Sequence, residues 1–478
     1  MIEPRTYWLA LLLSLLAIGT FRASNLVTAD PLLAVANNYD MVRVQACINA
    51  YPIRDAAIPP IANSFLAPLS RYRFIDGVDA TCFITSEDLF AFAALPGMWL
   101  ESQVSADGGF SIRWMGGVKL LIVVILAAGA SAALLRREQE RLAVAHALIV
   151  ALVLSDPANT LYFSTFYAES AAVLAAWLLL VSLLVAQSRP QSPGMVWLLL
   201  IALGALLLAA SKVQHVLTPT LVLAVLLAGR WIGLRVARPL LAALALGALL
   251  GGLIQTLNMR APYAETIGRA NLINTLFYAV LPNADDPEGL LGKLGLPADC
   301  AKYSGESWFT PGMAEGRRCE QAFELKRSRL LAMLLREPRL LANVWIGGVP
   351  RMRPWVPRYL GLVEGQERGV LPGAQPTLST VLDGFDHTWW FVFVLSLPVL
   401  GLALTRALVL VGEHASAAAT LLLSSLPAAL LLIVVLGDGY ADTAKQSHLA
   451  TTMLLAGWLC IPMGATRLRA IMRSRRVR

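Results

Sequence analysis

Four short polar stretches carry the residue types that could do chemistry. The first, Asn37-Asn-Tyr-Asp40-Met-Val-Arg43, offers Asp40 as a general base for an incoming hydroxyl, with Arg43 at i+3 on the same helical face. The ordinary reading of these two residues is a surface ion pair that contributes little. The second stretch runs from Asp156 to Glu169 as Asp156-Pro-Ala-Asn-Thr-Leu-Tyr-Phe-Ser-Thr-Phe-Tyr-Ala-Glu169. It supplies two carboxylates, of which Glu169 suits a helix N-terminus. Its rings, Tyr162, Phe163, Phe166 and Tyr167, suit sugar stacking or equally a membrane interface. The third, Ser211-Lys-Val-Gln-His215, and the fourth, Gly437-Asp-Gly-Tyr-Ala-Asp-Thr-Ala-Lys-Gln-Ser-His448, hold Lys212, Gln214, Asp438, Asp442, Lys445 and His448. Two lysines and an imidazole near one surface could hold a phosphate or pyrophosphate as point charges, while snorkelling to headgroups is the alternative for Lys212. Asp438, Asp442 or Asp40 could also hold Mg or Mn, because hard cations take oxygen ligands and bridge phosphates; no spacing demands a metal.

Apolar runs must position these stretches. The chain has 478 residues, 57% hydrophobic and 15% charged, with a mean hydropathy of +0.63. A soluble domain is about half apolar and about a quarter charged. Runs at about 7–22, 117–135, 142–155, 170–187, 195–211, 216–230, 240–256, 389–405, 417–436 and 449–465 are long enough to cross, or nearly cross, a hydrocarbon core about 30 Å thick. The expected fold is an all-α polytopic membrane protein of about ten transmembrane helices. The first run is read as a retained helix rather than a signal peptide, since no cleavage site is evident and further spans follow. The organisation expected is a first helix within 1–22, a loop region at 23–116 with Asp40, helices two to seven within 117–256, and a second loop region at 257–388. Helices eight to ten follow within 389–466, and a basic tail at 467–478. A helix is expected within the second loop region at about 315–336.

Arginines orient the chain. Arg136, Arg137 and Arg141, then Arg189, then Arg230, Arg235 and Arg238, then Arg406, and finally Arg467, Arg469, Arg473, Arg475, Arg476 and Arg478 all follow even-numbered runs. The positive-inside bias therefore places both termini in the cytoplasm, with both loop regions and all four polar stretches on the periplasmic side. The net charge of +8 serves this orientation and does not call for a nucleic-acid partner. His146, Glu413 and His414 fall on the cytoplasmic side and read as solvated or structural. The run from Gly347 to Arg358 could lie on the membrane beside a lipid headgroup, or be an ordinary interfacial loop. Cys47 and Cys82 share the first loop region and Cys300 and Cys319 the second, which in an oxidising compartment suggests two disulfides, with Cys460 reduced in the last span.

Taken together, Asp40, the segment Tyr162 to Glu169, Ser211 to Gln214 and Gly437 to His448 resemble bacterial membrane glycosyltransferases of the GT-C type. Asn274-Thr-Leu-Phe-Tyr-Ala-Val-Leu-Pro282 and Leu294-Gly-Leu-Pro297 are similar to that group's second outer loop. The resemblance implies a GT-C-like bundle, a donor sugar carried on a polyprenyl phosphate, a glycan or lipid acceptor, and an inverting transfer. It implies Asp40 as base, Glu169 as a second acid or acceptor-positioning group, and Lys212, Gln214, Lys445 and His448 as donor-phosphate contacts. Arg43, Asp156, Tyr162, Tyr167, Asp438 and Asp442 are the further substrate contacts expected. The sequence departs from the group's Lys-His pattern, because Gln446 follows Lys445 and the histidine comes at 448. A transporter or flippase for lipid-linked glycans is the rival from another class. It predicts ionisable groups near the bilayer midplane and repeated halves. A non-catalytic binder of lipid-linked sugar is a further alternative.

Overall fold

The fold described here is a computed structural model. It describes residues 4–188, 194–357, 359–366 and 377–476; Arg189, Arg358 and Arg478 lie outside these. The first half of the chain forms α1 (Pro4–Val27), α2 (Tyr39–Ile48), β1 (Ala50–Pro52), β2 (Arg71–Phe74), α3 (Glu87–Val104), β3 (Phe110–Ser111) and α4 (Arg113–Arg136). Then come α5 (Glu140–Ile149), α6 (Pro157–Thr160), α7 (Ala168–Gln187), α8 (Met195–Ser211), α9 (Thr218–Gly229) and α10 (Arg238–Asn258). The second half supplies α11 (Pro262–Ile273), α12 (Pro287–Leu294), α13 (Arg327–Arg336), α14 (Pro338–Gly348) and α15 (Leu378–Asp383). It ends with α16 (His387–Leu410), α17 (His414–Asp438), α18 (Thr443–Gln446) and α19 (His448–Arg476).

Among the described residues eight helices are long and apolar enough to cross a membrane. Helices satisfy every backbone polar group internally, which lipid demands. The ten expected runs thus appear as eight full-length spans and two shorter pieces. α5 is short because a π-helical turn, Val150–Leu154, leads straight into Asp156, which caps α6 ahead of Pro157. α8 is 17 residues long and stops where Lys212 takes an extended backbone. In the second loop region the helix expected over 315–336 occupies only its latter part, as α13.

α7 is buried along almost its whole length. Its small residues, including Ala171, Ala172, Ala175 and Ala176, let α4, α8, α17 and α19 pack around it. α10 lies against α8 through Gly247 and Gly251, whose missing side chains leave room for Ala205 and Ala209. α16, α17 and α19 form a second tightly packed group.

The loop regions gather at one end of this bundle and pack on each other. The first contains α2, α3 and an antiparallel sheet of order β1-β2-β3, with Ala50 opposite Phe74 and Tyr72 opposite Phe110. A disulfide joins Cys47 to Cys82, and another joins Cys300 to Cys319 in the second region. Backbone bonds fasten the two regions together, from Ala36 N to Gly361 O (2.9 Å) and from Gly361 N to Phe65 O (2.8 Å).

Candidate functional site

Each polar stretch reaches the same point by its own local route. Asn38 caps α2 by accepting from Asp40 N (3.0 Å), which leaves the Asp40 carboxylate pointing off the first turn beside Arg43. Glu169 stands in the first turn of α7. Lys212 ends α8. After α17 the chain turns at Gly439, φ +61°, so close to the backbone of Asn274 and Thr275 that a side chain would collide there. That turn brings Asp442 and Lys445 back toward α2.

Asp40 is the hub. Its Oδ2 meets Lys445 Nζ at 2.7 Å and Lys212 Nζ at 4.0 Å, and its Oδ1 meets Arg43 at 3.2 Å. Lys445, almost fully buried, also reaches Asp442 Oδ2 at 2.8 Å and lies 5.6 Å from the Tyr167 ring centre. Lys212 binds Glu169 Oε1 at 2.5 Å, while the buried Glu169 Oε2 finds no hydrogen-bond partner among the described residues. Tyr359, from the second loop region, donates to Asp442 Oδ1. Three carboxylates and three cations therefore converge at the end of an apolar bundle.

Burial alone would raise the Asp40 carboxyl, but Lys445, Arg43 and Lys212 outweigh it and hold the group well below the usual carboxylate range. Lys445 is the converse case: burial would lower it, and Asp40 and Asp442 hold it well above an ordinary lysine. Asp442 is pushed up by burial, against the pull of Lys445. A Mg or Mn ion does not fit this donor set. The ammonium of Lys445 fills the position between Asp40 and Asp442, and among the described residues no three His, Cys, Asp or Glu side chains gather to hold a metal.

Other expected site residues have different partners. Asp156 caps α6, accepting from Ala158 N (3.0 Å) and, across to α15, from Ser379 N (3.3 Å). Asp438 accepts from Asn274 Nδ2 (2.9 Å) and ties the second loop region to the end of α17. Gln214 donates to Gln446 O (3.0 Å). His448 is buried, with Nε2 2.8 Å from Asn159 Oδ1 and its ring between Tyr162 and Trp355. A phosphate role for His448 is not supported by that placement. Tyr162, Phe163, Phe166 and Tyr167 are all buried, so these rings pack the core beneath the site and offer no face for stacking a sugar. His146 is buried too, accepting from Trp177 Nε1 (3.0 Å), and Glu413 pairs with Arg467 (2.7 Å).

The sequence matches the YfdI N-terminal transmembrane domain family over residues 9–466, nearly the whole chain. The protein belongs to the YfdI family. It is a multi-pass membrane protein of that type. No curated protein and no solved structure matches it. Within this YfdI-type bundle, two residues besides Tyr359 that sequence reasoning passed over support the site. Lys119 of α4, fully buried, binds Glu87 of α3 at 2.5 Å and donates to the carbonyls of Tyr162 (3.2 Å) and Thr165 (2.9 Å). Glu87 in turn accepts from Ser170, the neighbour of Glu169 (3.2 Å). A lysine inside an apolar run was the signal available, because an ionisable group there is costly unless paired. Tyr359, alone in its loop, gave no signal.

Proposed function

We propose that this protein is an inverting glycosyltransferase of the bacterial inner membrane, moving a sugar from a polyprenyl phosphate to a hydroxyl of a periplasmic glycan or lipid acceptor. Both termini are then cytoplasmic and the charged network faces the periplasm. The observation that carries this reading is Asp40, a carboxylate lodged against Lys445, Lys212 and Arg43 at the mouth of an apolar bundle. Base and cations stand together where a lipid tail can remain in the bilayer while its phosphate reaches the surface.

In the transfer, the acceptor oxygen forms a bond to the anomeric carbon as the bond from that carbon to the phosphate oxygen breaks. The acceptor proton passes to Asp40, and the polyprenyl phosphate leaves with the electron pair. Lys445, Lys212 and Arg43 stabilise its charge. All three cations are paired with carboxylates before substrate arrives, and an Asp40 so held is a weak base. Donor phosphate takes over these cations from Asp40. Freed of them, Asp40 gains the proton affinity that the reaction needs, so donor binds before acceptor is deprotonated. Glu169 holds Lys212 in place for the donor phosphate.

Purified wild type and Asp40→Asn, given a panel of polyprenyl-phosphate sugars, test the proposal. Donor consumption that disappears in the variant while donor binding persists supports it. Donor binding without turnover in either protein, beside a working control enzyme, refutes transfer and leaves a binder or transporter.

A further inference from the structure

We infer that an open aromatic groove in the first loop region holds the glycan part of the acceptor, a neutral oligosaccharide, away from the reacting end; this rests on the glycosyltransferase reading above. The groove has a volume of about 540 Å³, within the usual range of about 300–1,000 Å³ for small-ligand sites. Phe74, Phe92 and Trp99 line it, with Ile48, Asn49 and Asp76. Phe92 and Trp99 are 52% and 55% exposed. The rings of the Asp156–Glu169 stretch are buried, whereas Phe92 and Trp99 offer exposed faces.

Ring faces pack the C–H surface of a sugar, and an amide beside a carboxylate takes its hydroxyls. Asn49 Nδ2 and Asp76 Oδ1 lie 3.3 Å apart at one edge of the groove. The described lining residues include one carboxylate and no Lys or Arg. That charge pattern suits an uncharged polyol and disfavours a lipid phosphate.

The walls are fixed before any ligand arrives. The Cys47–Cys82 disulfide anchors α2 one residue before Ile48, and Ile75 N donates to Asn49 O (2.9 Å). The Phe74 ring rests on Phe110 with centres 4.8 Å apart. Helix α2 links the groove, at Ile48, to the charged site, at Asp40. On α2 and its C-cap, Tyr39, Arg43, Ala46 and Asn49 fall on one side at helical spacing, and none of them is buried. Asp40 and Ile48 are separated by about 12 Å of helix rise. A short oligosaccharide lying along α2 therefore places its end at Asp40 while its body occupies the groove.

The test uses the intact protein in phosphatidylcholine nanodiscs. Binding of short neutral gluco-, galacto-, manno- and rhamno-oligosaccharides is measured by calorimetry for wild type, Trp99→Ala, Trp99→Phe and Arg73→Ala. At least one probe is expected to bind wild type, with about tenfold weaker binding in Trp99→Ala, the loss of one ring stack of about 1.4 kcal/mol. Trp99→Phe keeps a ring and most of the affinity. Arg73→Ala, one strand position before Phe74 and so pointing to the other face, leaves it unchanged. No binding across the panel, or equal binding in Trp99→Ala, overturns the inference. So does quenching of the Trp99 contribution (wild type minus Trp99→Phe fluorescence) by brominated lipid, which marks the groove as facing the bilayer. Binding needs no turnover, so failure here is separable from failure of the transfer reading, which the donor assay reports.

Discussion

Replacing Lys445 with Met removes the ammonium that two buried carboxylates share while keeping a flexible side chain of similar length. Asp40 keeps Arg43 at 3.2 Å and Lys212 at 4.0 Å, but among the described residues Asp442 keeps only Tyr359. Breaking a buried ion pair from one side costs about 3–5 kcal/mol; both aspartates retain some exposure, which places the loss near 3 kcal/mol. Asp442 can relieve part of this by holding a proton. Burial already pushes its carboxyl up, and without Lys445 no comparable downward pull remains among the described residues. The folded variant then binds a proton that the unfolded chain, titrating near pH ~4, does not, so its stability falls as pH rises until that raised value is passed. In wild type the same trend at Asp442 is opposed by Lys445. Asp40, held low, contributes stability that is present above pH ~4 and lost only on acidification, and Lys445, held high, contributes stability that is lost only in strong base. Thermal unfolding in nanodiscs at about pH 5 and about pH 8 should therefore show a larger deficit for Lys445→Met at the higher pH. Adding Asp442→Asn should restore much of the difference. A deficit that is equal at both pH values, or an unchanged melting temperature, refutes the view that one ammonium neutralises both aspartates.

Three further outcomes are expected. Lys119→Met and Glu87→Gln, singly, should each lower stability by about 3 kcal/mol or more, and the double variant should lose far less than their sum, as read in a double-mutant cycle. Reduction of the disulfides should lower the melting temperature. By loop length the Cys47–Cys82 link, 35 residues apart, stabilises by about 4 kcal/mol and Cys300–Cys319, 19 apart, by about 3, which Cys47→Ser/Cys82→Ser and Cys300→Ser/Cys319→Ser compare directly. Glu169→Gln should weaken its bond to Lys212 while leaving the Lys445 pairs in place, lowering donor turnover in the donor-consumption assay.

Much of this architecture is written in hydrophobic periods. The long runs fix the helices, and Asp40, Glu169, Lys212 and Lys445 stand out because each is polar at the end of such a run. A count of span ends places them on one side; it says nothing of which side chains touch. Lys445 meets Asp40 because Gly439 turns the chain back, a packing event that composition does not encode. The same limit explains the rings. Tyr162 and Tyr167 are amphipathic residues at a membrane boundary, equally consistent with an open face or a packed core, and only the surrounding helices decide for the core. His448 looks like a cation beside Lys445 in the sequence, yet one helical turn points it at Asn159. Asp156 has the same composition as a site carboxylate, but its position ahead of Pro157 makes it a cap.

The distance along the chain between Asp40 and Lys445 bears on how the protein is made. The pair is 405 residues apart. A ribosome adding about 5–20 residues per second needs about 20–80 s to deliver the second partner after the first. Asp40 spends that interval without it, which costs little while the segment is still bathed in water. Lys119 cannot wait in the same way, because it must enter the bilayer, and its partner Glu87 has already been synthesised when it does. Assembly therefore proceeds from a self-sufficient early half to a late closure: a chain halted before α18 would insert most of its helices and still lack the charged centre.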